Sequence, residues 1–164
     1  MTVVRTAPGQ QLVSAAADDE VVTGSIPVDL PSNTGRMLMR IVVDPTIPGD
    51  VLDVEARARV TNDVGYNIGV GWHLWRYDVD DGQPWPHSPW VQIGPLNGDN
   101  VDPQRHHMPL HTSAVYRVPD SWPAGHRMVV LLQADAHSTA WQSGDTLTVD
   151  QAYGLLKVRR WTTP

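Results

Sequence analysis

The chain has 164 residues, a formal net charge of −6 and no cysteine. That length suits one domain with one substantial core, and the lack of cysteine excludes disulfide staples, thiolate metal sites and cysteine nucleophiles. The acidic balance also argues against a general nucleic-acid binder, which needs a basic stripe to release counterions from phosphate.

Residues 1–19 are small and polar, with Ala15-Ala16-Ala17 before Asp18-Asp19-Glu20. They read as an extended arm or a first edge strand, preceding a sandwich domain over 20–164. No cationic region followed by an apolar core opens the chain, and no apolar run is long enough to span a bilayer. A soluble product without an export signal and without membrane partners is expected.

Strands are predicted for Glu20 to Val28 and Arg36 to Val43, separated by the turn cluster Pro31-Ser32-Asn33-Thr34-Gly35. From Leu52 to Thr61 apolar and polar residues alternate without a fault, placing Leu52, Val54, Ala56, Ala58 and Val60 inward. After the break Asn62-Asp63-Val64-Gly65 the alternation resumes at Tyr66, Ile68, Val70, Trp72 and Leu74. The two segments are expected to pair as an antiparallel hairpin centred on residues 51–78. Gly65, Gly69 and Gly71 speak against a helix there.

Residues 80–112 form a long Pro-rich excursion, the kind of loop that is usually functional. Strands are expected again at Trp90 to Ile93, Ser113 to Val118, Met128 to Ala136 and Thr146 to Val158. Many strands, turn clusters between them and no amphipathic helix indicate an all-β, antiparallel sandwich, jelly-roll-like in topology.

Catalytic signatures are missing: no nucleophile elbow, no His-Glu-x-x-His and no phosphate loop occur. Glu20 and Glu55 are the only glutamates, and nothing selects a carboxylate pair for glycoside hydrolysis. His106, His107 and His111 form a histidine cluster, but Pro109 disfavours a helix, and in an extended segment His107 and His111 stand about 13 Å apart. They read as surface or interface residues, not as a metal set. Asp78, Asp80 and Asp81 beside Gly82 read as a solvated turn, with calcium held partly by other loops as the alternative. No cofactor and no catalytic role is expected.

The tryptophans are more informative. Trp72 falls on the inward register, whereas Trp75 and Tyr77 fall on the opposite face together with His73, and Trp85 and Trp90 lie in the excursion. Such aromatics fold over the core, fill a protein interface or stack on sugar faces. Trp75, Tyr77, Trp85, Trp90, His106, His107 and His111 are therefore the interface or glycan candidates.

The segment Ser143-Gly144-Asp145-Thr146-Leu147-Thr148-Val149-Asp150-Gln151-Ala152-Tyr153-Gly154-Leu155-Leu156 resembles the closing strands of galactose-binding-like jelly rolls. Pro48-Gly49-Asp50-Val51-Leu52-Asp53-Val54 is similar to the lead-in of a central strand in the same modules. A single lysine, no phenylalanine and abundant Ala, Val, Asp, Arg, Gly and Pro resemble coding from GC-rich DNA, as in actinobacteria and their phages. The resemblance implies a non-enzymatic virion protein, either a capsid decoration or a minor tail subunit of an actinobacteriophage. Such a subunit would form a homo-oligomer, favouring a trimer, and would bind other virion proteins. A carbohydrate-binding module for host attachment is the alternative it implies.

Overall fold

The computed structural model describes residues 11–18, 24–29, 35–82 and 90–162. Its strands are β1 (Gln11–Asp18), β2 (Ser25–Asp29), β3 (Arg36–Val43), β4 (Val51–Thr61), β5 (Ile68–Asp78), β6 (Val91–Gln92), β7 (Asn97–Val101), β8 (Met108–Arg117), β9 (Met128–His137), β10 (Thr146–Val149) and β11 (Leu155–Thr162). A 3-10 turn, Gln151–Tyr153, is the one helical element among the described residues.

The strands form a curled, mixed sheet folded into two layers. One layer has the order β1-β11-β4-β8, with β10 continuing beside the end of β4. The other has the order β3-β9-β5, with β7 and β6 sharing the far side of β5. Between them β2 pairs antiparallel with β10 and parallel with β9, so it joins the two layers at one corner. This is an all-β, jelly-roll-like sandwich.

The alternation in β4 does what its period dictates: Leu52, Val54, Ala56, Ala58 and Val60 are all buried. Ile68, Val70, Trp72 and Leu74 of β5 belong to the same apolar cluster. The layers are also tied by a polar contact, since Trp72 Nε1 donates to the His111 carbonyl of β8 at 3.0 Å.

The expected β4–β5 hairpin does not form. β4 pairs with β8, β10 and β11, whereas β5 pairs with β6, β7 and β9, so the two strands lie in opposite layers. Alternation states which side of a strand is inward but not which strand lies beside it. The crossover is organised by Asn62, wholly buried, whose Nδ2 donates to the Tyr66 and Val101 carbonyls while Oδ1 accepts from Val64 N.

Two other boundaries differ from expectation. The excursion 80–112 contains, besides β6 within the expected Trp90 to Ile93, the unexpected β7 and the start of β8. The segment Thr146 to Val158 is not one strand, because Tyr153 N turns back to the Asp150 carbonyl and divides it into β10 and β11. Residues 11–18 of the N-terminal segment lie as an edge strand against β11, and the other residues of that segment fall outside the described ones.

Candidate ligand groove

The outward face of the β3-β9-β5-β7 layer divides into an apolar half and a polar half. In the antiparallel register of β5 and β9, Tyr77 faces Val129 and Trp75 faces Leu131, whereas His73 faces Gln133, Gly71 faces Asp135 and Gly69 faces His137.

Tyr77, Val129 and Leu131 are buried in the apolar half, with Met37, Trp75 and Trp90 packed on them. Trp90 folds back over the sheet, its ring stacked on Tyr77 at 6.1 Å and edge-on to Trp75 at 6.2 Å. As a result Met128 to Leu132 of β9 are buried on both faces. Burial raises the Tyr77 phenol above its ordinary pKa, against the opposing charge of Arg40.

The polar half is an open groove of about 810 Å³, within the size range of small-ligand sites. Its floor exists because glycines stand where side chains would otherwise project. A Cβ at Gly69 would lie 2.6 Å from His137 Nε2, one at Gly71 2.9 Å from Asp135 Oδ1, and one at Gly35 2.5 Å from Gln133 Cδ. Three successive outward side chains of β9 therefore lie across neighbouring backbone. Gly98 and Asn100 of β7 continue the rows beyond Gly71 and Gly69. His73 Nε2 and Gln133 Oε1 are 2.9 Å apart, and the His73 ring meets Trp75 edge-on at 4.9 Å. Leu96, Asn97 and Asp99 complete the rim. Trp75 thus belongs to both halves, lining the groove and closing the aromatic cluster. Its Nε1 and His73 Nδ1 are buried without a hydrogen-bond partner among the described residues.

The structure distributes the sequence candidates over different places. Trp75 lines the groove, Tyr77 and Trp90 form the adjoining cluster, and Trp85 lies outside the described residues. The three histidines sit by the other layer and do not converge. His106 is exposed, His107 Nδ1 lies 2.8 Å from Asp150 Oδ2, and His111 Nε2 lies 3.9 Å from Glu55 Oε1. His107 has a left-handed backbone (φ 59°), held by its N–H donating to Thr61 Oγ1. Two of the clustered aspartates are engaged by neighbouring side chains. Asp78 Oδ2 lies 2.8 Å from His126 Nδ1, and Asp80 receives both arms of Arg127. The hydrogen bonds from Arg127 hold the Asp80 carboxyl well below the usual carboxylate range. Among the described residues no three His, Asp or Glu side chains converge as a metal site.

Sequence reasoning missed Gln133, Asp135, His137, Asn100 and the role of the glycines. The available signal was Gly-x-Gly within a strand, which marks close approach of other groups to backbone, together with polar residues at alternate positions of the partner strand. The chain matches no protein-family model and no curated protein sequence.

Proposed function

We propose that this domain is a carbohydrate-binding module whose ligand lies in the groove over β5 and β9. The observation that carries this reading is the pairing of Gly69 and Gly71 with His137 and Asp135, which makes a broad polar floor beside Trp75. A sugar chain needs that combination: hydroxyls exchange hydrogen bonds with carboxylate, amide and imidazole groups, while C–H faces rest on an aromatic ring. The outward side chains of Gln133 and His137, four residues apart on an extended strand, span about 13 Å. That length suits a short oligosaccharide better than a single ring. The role is binding without chemistry, in keeping with the absent catalytic signatures, and attachment to a glycan-coated surface is its natural use.

Calorimetric titration with oligosaccharides tests this reading. Saturable binding is expected, weakened at least about tenfold by Gly71→Val in a protein that retains its β circular dichroism. Equal binding by the variant would place the ligand elsewhere and overturn the assignment.

A second reading, a virion subunit working in a homo-oligomer, is favoured by β8. This ten-residue strand is an outer strand of its layer, pairs with β4, and exposes Val115 at 75%. A long strand edge is a surface on which another chain adds a strand. Sedimentation equilibrium is expected to show a trimer that Val115→Lys weakens, and a monomer at all concentrations would remove this reading.

A further inference from the structure

The groove carries a charge pattern that bears on which glycans it takes. Its floor carries the Asp135 carboxylate over Gly71, and among the described residues its lining includes no lysine or arginine. Sites that recognise carboxylate, sulfate or phosphate groups place guanidinium forks or ammonium charges against them. An acidic sugar here would instead meet like charge, inside a chain whose formal net charge is already −6.

Resting on the carbohydrate-binding reading above, we infer that the groove selects uncharged sugar chains and rejects those bearing uronate, sulfate or phosphate groups. The carboxylate of Asp135 accepts hydrogen bonds from sugar hydroxyls. Gln133, whose Oε1 is engaged by His73, turns its amide hydrogens to the ligand. Selection is thus achieved by repulsion of the wrong class as well as by attraction of the right one.

The test is titration near neutral pH of the whole chain against three immobilised panels: neutral hexose and N-acetylhexosamine chains, uronic-acid chains, and sulfated chains. Neutral chains are expected to bind and both acidic panels to bind at least about tenfold more weakly. In the Asp135→Asn variant that discrimination should shrink, through gain of the acidic panels. Because replacing a carboxylate by its isosteric amide preserves shape, retained β circular dichroism should accompany the change. Acidic chains bound as tightly as neutral ones by the native chain, and lost on Gly71→Val, would overturn the charge inference while leaving the groove a glycan site. So would discrimination that survives undiminished in the Asp135→Asn variant. No binding in any panel would overturn the carbohydrate reading itself, and this inference with it.

Discussion

His137 lies across Gly69, with its imidazole Nε2 2.6 Å from where a Cβ at that position would stand. Its side chain is more than half exposed, so a new methyl group meets the far end of a movable ring and not packed backbone. Gly69→Ala should therefore swing His137 away and change stability by no more than about 1 kcal/mol. Ligand binding should fall severalfold. A loss of stability well beyond that size in urea titration would show that the glycine serves the fold and not the groove.

Trp90 and Tyr77 make a second checkable pair. Trp90→Ala removes the ring stacked on the phenol, and should cost roughly 2–3 kcal/mol, less than for a fully buried tryptophan. The Tyr77 phenol, raised by burial, should then titrate lower, closer to its ordinary value of about 10. Ultraviolet titration reads this directly, and an unmoved Tyr77 would mean that Trp90 is not what covers it.

In the main core, Leu74 is wholly buried within the cluster shared by both layers. Leu74→Ala should cost about 2–5 kcal/mol, through lost transfer energy and the cavity left behind. Denaturant unfolding measures it. A cost below about 1 kcal/mol, on the order of a surface change, would contradict the placement of the Leu74 side chain between the layers.

The Asp80–Arg127 contact sets a pH dependence whose sign is fixed. The folded carboxyl is depressed, so its stabilisation is complete above the ordinary unfolded value of about 3.9 and is lost as pH falls through the lower folded value. Asp80→Asn should be less stable than the native chain at about pH 6, and the gap should close as acid is added below about pH 4. A gap that stays constant across this range would exclude the contact as its cause.

Much of the fold was legible because β4 and β5 alternate apolar and polar residues, and a half-buried strand requires that period. Their partners were not legible. Each inward face is satisfied by the same core whether the strands are neighbours or lie opposite one another, and the choice depends on Asn62 binding the carbonyl of the distant Val101. β7, with the sequence Asn97-Gly98-Asp99-Asn100-Val101, carries one buried residue in five and so shows no strand period; its place comes from hydrogen bonding to β5. The aromatic candidates were visible as a surplus on the outward register. That Trp90 covers Tyr77 is a contact between residues of no common element, which no periodicity encodes. The groove was hidden for a related reason, since its floor is made by what Gly69 and Gly71 lack.

The corner strand β2 also bears on how the chain reaches its shape. Its partners, β9 and β10, begin at Met128 and Thr146, and β1 waits for β11, which begins at Leu155. During synthesis the first two strands therefore emerge roughly a hundred residues or more ahead of anything they pair with. Contacts of such high sequence separation make closure slow, and until then both edges stay open to misassembly. The last third of the polypeptide completes both layers at once, so a ribosome-bound chain halted before Met128 should be held in a protease-sensitive, unclosed form.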